Sequence, residues 1–173
     1  MLEAEGVVEH IQNSGYAVVK LTADEVVQAY MMRRVLETEL IRGIKSVCVA
    51  EVETLRELNV RMQEAFAADD VASGLQLNKE FHFAMFSLAR LSIIQDHLKR
   101  VWTLSDPYRS IVSYDPETPA RIVIEHNEMV DLLRAGRLDD LVDVLDRHRD
   151  AGAKRVLRTL EHLQRYGSDV VRG

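Results

Sequence analysis

Apolar side chains recur with helical spacing along most of this 173-residue chain, and this periodicity limits the possible fold more than any other feature. Between Thr22 and Arg165 they fall three or four residues apart, as on the buried face of an amphipathic helix. The alternation of apolar and polar residues that is typical of a strand does not occur after residue 20. We therefore predict an all-α fold, an antiparallel bundle of about six helices.

Cap and turn residues divide the helical region into separate helices. Thr22 is a candidate N-cap and Glu25 completes a capping box, while the pair Asp69-Asp70 separates the second helix from the third. The six predicted helices run from Thr22 to about Lys45, from Val49 to Ala67, from the Asp70 cap past His82, from Leu91 to about Pro107 or slightly beyond, from about Pro119 to Ala135, and from about Leu138 to Arg165. In the first of them, Val35 is assigned to the buried face.

The first twenty residues follow a different pattern. The segments Val7–Ile11 and Tyr16–Val19 have the composition of short strands, and Gln12–Gly15 between them has that of a turn. We predict one β-hairpin here, preceded at Leu2–Gly6 by a final helical turn that glycine closes. At the other end, residues 167–173 are predicted to be a frayed tail.

Charge and cysteine content exclude several classes of protein. A net charge of −6 argues against a chain that itself binds nucleic acid strongly. The single cysteine, Cys48, excludes an internal disulfide, and its apolar neighbours predict a buried and unreactive thiol. No apolar run has transmembrane length and the N-terminus lacks a signal-peptide pattern, so we expect a soluble cytoplasmic protein.

Two polar residues interrupt an apolar row in the predicted third helix. Asn78 and His82 lie between Leu75 and Met85 at helical spacing, so both should project from the inward face. Buried polar groups require partners, because an unpaired amide or imidazole in the core is costly. The pattern therefore indicates that something in the core binds this amide and this imidazole.

Histidines occupy apolar positions in the last two predicted helices as well. His126 lies in a row with Ile122, and His148 lies in a row with Leu145. Gly136 falls close to the midpoint between the two histidines, at the expected end of a helix. Since residues equally far from the turn of an antiparallel helix hairpin lie level with each other, His126 and His148 should be neighbours.

Three imidazoles and one amide directed at the same point form a candidate metal site. Three nitrogen donors and one oxygen donor suit Zn²⁺ or Ni²⁺. The predicted ligands are Asn78, His82, His126 and His148. A single inward histidine is more often an ordinary core residue with a hydrogen-bonded neighbour, so a structural bundle without a metal stays an alternative.

The first predicted helix carries two consecutive arginines, Arg33 and Arg34. Such a pair usually lies on a solvated or salt-bridged face. In the alternative arrangement, one guanidinium turns inward and supplies the helical core with a group that binds a carboxylate.

Catalytic sequence signatures are lacking, since the chain has no glycine-rich phosphate loop and no Gly-x-Ser-x-Gly motif. Three histidines around an open metal position would also suit a metal-dependent hydrolase or isomerase, which we keep as the catalytic alternative. Such an enzyme needs a general base, but Glu80 and Glu125 are expected to point away from the inward face. We therefore predict no catalytic residues and no enzyme.

Four short motifs resemble the FCD domain, the effector-binding domain of the FadR subfamily of GntR transcriptional regulators. They are Arg33 to Glu37, Asn78 to His82, Glu125-His126 and Arg147-His148. This resemblance covers about Thr22 to Leu160. Residues 1–20 resemble the end of the winged helix-turn-helix of the same family, with the last turn of its recognition helix followed by its wing.

The resemblance implies a sensor domain over residues 21–166 that binds a divalent metal and a small carboxylate effector. The implied metal ligands are Asn78, His82, His126 and His148, and the implied effector-binding residue is Arg33. A homodimer is also implied, with DNA bound only through a winged helix of which residues 1–20 retain the wing. The family most often has Asp at the position of Asn78; the neutral amide should weaken metal binding and strengthen the attraction of an anion.

Overall fold

The computed structural model describes residues 8–11, 15–18, 21–111 and 117–166 of the chain. Within this part of the chain six helices form a bundle, which confirms the predicted all-α architecture. Their bounds are Ala23–Arg42 (α1), Val49–Ala67 (α2), Val71–Ser87 (α3), Ser92–Ile111 (α4), Glu117–Arg134 (α5) and Leu138–Tyr166 (α6). Among the described helices, none combines the length and the apolar character that crossing a bilayer requires.

Two four-residue strands precede the helices. Strand β1 is Val8–Ile11 and strand β2 is Gly15–Val18, and they pair antiparallel. The turn between them at residues 12–14 lies outside the described residues, as do the predicted helical turn at residues 2–6 and the predicted tail at residues 167–173. The hairpin and these two assignments therefore stay predictions.

Local capping signals set several helix ends. Thr22 accepts a hydrogen bond from the backbone N–H of Glu25, whose carboxylate accepts one from the N–H of Thr22, so the predicted capping box is present at α1. The Asp70 side chain accepts from the N–H of Ser73 at the start of α3. After α5, Gly136 has a φ of 69°, a left-handed conformation that glycine adopts without strain.

Helix α1 packs against α4 and α6, while α2 packs against α3 and α5. One apolar cluster reaches into all six helices, and its largest members include Phe81, Phe86, Trp102, Met129 and Leu141, all completely buried. Burying each such side chain contributes roughly 1.5–3 kcal/mol. This cluster therefore holds α3, α5 and α6, the helices that carry the three inward histidines, at fixed positions.

One predicted helix end is wrong. Helix α1 ends at Arg42 and not near Lys45, because the N–H of Gly43 bonds to the carbonyl of Glu39 and closes the last turn. Helix α4 extends to Ile111, which agrees with the predicted end at about Pro107 or slightly beyond. A proline within a helix removes one backbone hydrogen bond but does not by itself prevent the helix from continuing.

Two burial predictions are also wrong. Val35 is 63% exposed, because it lies nine residues after the buried Val26 and about 100° per residue places it on the opposite side of α1. Cys48 is exposed and is the N-cap residue of α2. An N-cap precedes the first helical turn, so the side chain does not share the buried face of the helix that follows.

Candidate metal centre

Three histidines from three helices meet in the core. His82 lies on α3, His126 on α5 and His148 on α6, with exposed fractions of 1%, 0% and 8%. One ring nitrogen from each lies within 4.8 Å of the other two, and the Nε2 atoms of His82 and His148 are 3.2 Å apart. The structure thus brings together the three imidazoles that the sequence indicated.

The packing of α3 against the α5–α6 hairpin explains this arrangement. The rings of His126 and His148 are 5.1 Å apart between centroids, as positions level across the Gly136 turn should be. The His82 ring lies 4.9 Å from the first and 5.0 Å from the second. Phe81 stacks on His126 at 4.0 Å and 5°, so apolar packing fixes the orientation of that imidazole.

Asn78 lies one helical turn before His82 and is 1% exposed. Within the described part of the chain, neither its amide oxygen nor its amide nitrogen has a hydrogen-bond partner. A buried amide without a hydrogen-bond partner lowers the stability of the fold by about 1–3 kcal/mol. Because Asn78 lines the same cavity as His82 and His148, a cation there would give its oxygen a partner.

The donor set fits a divalent metal. With Zn–N bonds of about 2.0–2.1 Å, two nitrogen ligands of a tetrahedral site lie about 3.3 Å apart, close to the 3.2 Å between the Nε2 atoms of His82 and His148. A hydrogen bond between two imidazoles has a similar length, so this distance alone does not distinguish a metal site from a hydrogen bond between the histidines. The buried amide of Asn78 favours the metal, because a bond between the histidines would leave it without a partner.

Glu125 was predicted to point away from the core, and this prediction is wrong. Its Oε2 lies 2.6 Å from Nδ1 of His148, and Arg121 bonds to its other oxygen. Burial raises the pKa of Glu125, but the bond to His148 and the charges of His148 and Arg121 outweigh it and hold the pKa below its usual value. The carboxylate orients the ring so that Nε2 faces the other histidines, as carboxylates do beside metal-bound imidazoles.

A second buried polar cluster lies beside the histidines. Glu37 on α1 is completely buried and accepts hydrogen bonds from Nε of Arg33, Nε of Arg149 and Nε1 of Trp102. Burial raises the pKa of Glu37, but the charges and hydrogen bonds of the two arginines outweigh it and hold the pKa below its usual value. Of the two arginines considered in the sequence, Arg33 therefore turns inward, whereas Arg34 is exposed.

This cluster includes Arg149 and Trp102, which no sequence pattern indicated. Arg149 bonds both Glu37 and Asp146, and within the described residues its buried Nη2 has no hydrogen-bond acceptor. Trp102 packs 5.5 Å from the His82 ring between centroids.

The sequence contained a signal for the inward direction of Glu125, because this residue lies three residues after Ile122, at the edge of the buried face of α5. For Arg149, adjacency to His148 was the only indication.

A cavity of about 30 Å³ joins the histidines to the arginines. Its polar lining residues are Tyr30, Arg33, Asn78, His82, Trp102, His148, Arg149 and Arg155. One water fills about 10–15 Å³ on the same measure, so the cavity has room for two or three groups of that size. Metal-binding donors on one side and guanidiniums on another can together hold a cation with a small anion.

Comparison with known proteins places this architecture in a family. Residues 28–151 match the sequence model of the FCD domain. No curated protein sequence gives a significant match. The family match covers more than half of the chain and includes all three histidines, Asn78 and Arg33.

Several solved structures share the fold. A GntR transcriptional regulator from Rhodococcus sp. RHA1 superposes with a TM-score of 0.76 at 22% identity, over 90% of this chain and 75% of that one. McbR/YncC of E. coli gives 0.83 at 14% identity, over 91% and 80%. A GntR family member from Pseudomonas syringae pv. tomato gives 0.64 at 20% identity, over 93% and 68%. At these identities the similarity shows the fold alone.

Proposed function

The chain belongs to the FCD domain family, and on this basis we propose that it is the ligand-sensing domain of a transcriptional regulator of the GntR/FadR type. In this proposal, a divalent metal and a small organic acid bind in the cavity of the bundle. One observation carries it: three buried imidazoles meet beside the Asn78 amide, which has no hydrogen-bond partner in the described part of the chain, at a cavity lined with arginines.

The proposed metal ligands are Asn78, His82, His126 and His148, with Zn²⁺ or Ni²⁺ as the preferred ion. A metal with an open coordination position would supply a Lewis-acidic site for an anionic ligand. Glu125 supports the site from outside, because its bond to Nδ1 of His148 leaves Nε2 of that ring for the metal. Phe81 and Trp102 exclude water from the imidazoles by packing beside them.

The proposed acid-binding groups are Arg33 and Arg149. Both line the cavity, and Glu37 is the carboxylate that their Nε atoms share. Two guanidiniums on one shared carboxylate leave an excess of positive charge, which Asp146 offsets only on the Arg149 side. The buried Nη2 of Arg149, which lacks an acceptor among the described residues, is a donor that a ligand carboxylate would satisfy.

Signal transmission is proposed to run through α1. This helix carries Arg33 and Glu37, packs against α4 and α6, and follows strand β2 in the chain. A carboxylate that binds Arg33 and Arg149 competes with Glu37 for these two guanidiniums. Because Arg33 and Glu37 lie on α1 and Arg149 lies on α6, this competition changes the packing of α1 against α6. The ligand changes the relative populations of the two arrangements only if it binds one of them more tightly than the other.

A homodimer is proposed, with α1 as its contact surface. Val27, Met31 and Val35 are 42%, 63% and 63% exposed and follow one another at intervals of four residues. A second copy packed antiparallel across a two-fold axis would therefore pair apolar with apolar side chains.

The remaining assignments are proposals that the family supports. Residues 1–20 are assigned to the wing of a winged helix-turn-helix, through which DNA would be contacted, and residues 21–166 to the sensor. A cytoplasmic location is expected for such a regulator. The hydrolase or isomerase alternative is not favoured, because Glu125, the acidic residue nearest the histidines, is held by His148 and Arg121 and does not line the cavity.

Metal analysis of three single variants tests the proposal. We expect purified wild-type protein, saturated with Zn²⁺ and desalted, to retain about one metal per chain. His82→Ala and His148→Ala should each reduce the retained metal severalfold or more, because each removes one of four ligands. His97→Ala, which removes an exposed histidine on α4, is the matched control and should retain the wild-type amount.

Two results would contradict the metal site. One is an equal metal content in the wild type, His82→Ala and His148→Ala. The other is a loss in His97→Ala as large as the loss in the two core variants, which would indicate binding at surface histidines. Far-ultraviolet circular dichroism of each variant checks that the helices remain, so that a loss of metal is not a loss of fold.

A further inference from the structure

The side chain of Tyr30 lines the metal cavity and ends in a hydroxyl that has no partner. Tyr30 lies on α1 and is 7% exposed. Within the described part of the chain, its oxygen forms no hydrogen bond, and it is not fully enclosed by other atoms. Because a buried phenol hydroxyl usually finds a partner, this one is a candidate contact for a group bound in the cavity.

The Tyr30 ring is held in place by its carbon atoms. It belongs to an apolar cluster with Val26, Val156 and Leu160. The guanidinium carbon of Arg33 lies 4.9 Å from the centre of the ring, in a cation–π contact. Phenylalanine would make the same contacts, so they do not account for the hydroxyl.

Gly152 on α6 leaves an open space in front of this hydroxyl. A Cβ atom at this position would lie 3.7 Å from Oη of Tyr30, which is an ordinary van der Waals distance. Alanine would therefore fit here, and it would stabilise the interior of a helix relative to glycine. Packing alone does not require the glycine, and the space beside the hydroxyl belongs to the cavity that Gly152 also lines.

Tyr30 and Gly152 each lie one helical turn from an arginine of the proposed acid-binding pair. Tyr30 precedes Arg33 by three residues on α1. Gly152 follows Arg149 by three residues and His148 by four, so at 100° per residue it lies between them around α6. Residues at these spacings are about 5–6 Å apart between Cβ atoms. A carboxylate on the two arginines therefore leaves the adjoining part of the ligand next to the Tyr30 hydroxyl.

We propose that Tyr30 determines the specificity of the effector site by a hydrogen bond between its hydroxyl and a hydroxyl group of the bound acid. The effector is then a small hydroxy acid. The cavity volume of about 30 Å³ holds two or three groups of the size of water, at about 10–15 Å³ each, which fits a carboxylate with one further oxygen close to it. A ligand hydroxyl suits Tyr30 because both groups donate and accept. This inference rests on the proposed function, which supplies the position of the carboxylate.

Two pairs of acids of equal size test this contact by isothermal titration calorimetry on zinc-loaded protein. Glycolate is compared with propionate, and 3-hydroxypropionate with butyrate, so that each pair exchanges a hydroxyl for a methyl group. Acetate, which is shorter, is the reference. The variant Tyr30→Phe removes the hydroxyl and keeps the ring. Its control, Ser73→Ala, removes an exposed hydroxyl from α3.

We expect the hydroxy acid of at least one pair to bind the wild type about tenfold more tightly than its methyl counterpart. Tyr30→Phe should weaken the binding of that hydroxy acid severalfold and should not weaken propionate, butyrate or acetate. The pair with the larger loss shows how far the ligand hydroxyl lies from the carboxylate. Ser73→Ala should bind every acid as the wild type does.

A second variant tests the space in front of the hydroxyl. Gly152→Ala should raise the midpoint of thermal unfolding, because alanine is the better helix former. Its methyl group should weaken the preferred hydroxy acid severalfold, since it occupies the space that the ligand hydroxyl needs. Acetate should bind this variant within about twofold of the wild type. An unchanged affinity for the hydroxy acid would contradict the proposed position of the ligand.

The other outcomes separate this inference from the proposed function. A hydroxy-acid advantage that persists in Tyr30→Phe would come from the metal, which overturns the role of Tyr30 and leaves the proposed function standing. Equal losses for both members of a pair, or an equal loss in Ser73→Ala, overturn it as well, as do hydroxy acids that bind the wild type no better than their counterparts. If none of the five acids binds the wild type, the proposed function fails and this inference fails with it.

Discussion

The guanidinium carbon of Arg33 lies 3.9 Å from the centre of the Trp102 ring, and both side chains donate hydrogen bonds to Glu37. Trp102 is the single tryptophan of the chain, and its ring is also 5.5 Å from His82. The intrinsic tryptophan fluorescence of this chain therefore reports on one position, between the candidate metal ligands and the candidate acid-binding arginines.

Binding of a carboxylate should change this fluorescence. Titration of acetate into zinc-loaded protein should give a saturable change, because a ligand on Arg33 moves the cation that lies over the indole. Arg33→Gln should weaken the apparent affinity about tenfold, and Arg33→Lys should weaken it less. The control is Arg34→Gln, on the exposed neighbour that binds Asp150. Equal affinities in all four proteins would contradict the role of Arg33.

Glu37→Gln should destabilise the bundle strongly. The substitution removes the negative charge between Arg33 and Arg149, and breaking a buried ion pair on one side costs about 3–5 kcal/mol. Glu39→Gln, two residues further along on the exposed face of α1, should change the free energy of unfolding by less than about 0.5 kcal/mol. Urea denaturation measures both; equal midpoints for the two variants would show that the buried cluster contributes little.

Stability should also depend on pH through Glu37. Its pKa is lower in the folded chain than the value of about 4.3 expected after unfolding. The unfolded state therefore binds this proton first, so the stabilisation is complete above about pH 4.5 and is lost as the pH falls towards the folded pKa. Free energies of unfolding measured between pH 7 and 3.5 should fall less steeply in Glu37→Gln. Parallel curves for both proteins would exclude this contribution.

Asn78→Asp should increase metal affinity, by about tenfold, because it replaces a neutral oxygen donor by a charged one at an otherwise unchanged position. The control is Asn127→Asp, which makes the same chemical change on the exposed side of α5, next in sequence to His126. Competition with a zinc chelator measures the dissociation constants. If both variants gain equally, the effect is a general one of charge and Asn78 is not a ligand.

Met31→Glu should favour the monomer if α1 forms the proposed dimer. Met31 is 63% exposed and lies at the centre of the stripe between Val27 and Val35, so two copies would place like charges against each other across the two-fold axis. Val60→Glu removes another exposed apolar side chain, on α2, and is the control. Light scattering after size exclusion gives the mass. A Met31→Glu mass equal to that of the wild type would exclude this surface.

The histidines show how much of the site could be predicted from local pattern. His126 and His148 were expected to be neighbours because each lies on a buried helical row and Gly136 lies close to their midpoint, and their rings are 5.1 Å apart. The burial predicted for Val35 was wrong, although the spacing already indicates exposure: at 100° per residue, Val35 lies on the opposite side of α1 from Val26.

Other parts of the site carry no local signal. Glu37 and Arg149 are 112 residues apart and become partners only when α1 packs on α6. Glu125 and His148 are 23 residues apart. Periodicity alone places Glu125 at the edge of the buried face of α5, from where its side chain could point either into the core or into solvent. Burial and pairing of such charges are properties of packed helices and not of single ones.

The sequence by itself determined the helices, their caps at Thr22 and Asp70, and the inward direction of the three histidines, because these depend on residues within a few turns of one another. Only the tertiary structure decided that an arginine-lined cavity opens beside those histidines and that Glu37 joins Arg33 to Arg149 next to it. Both are formed by side chains from separate helices, and their distances are set when the apolar cores of those helices close on each other.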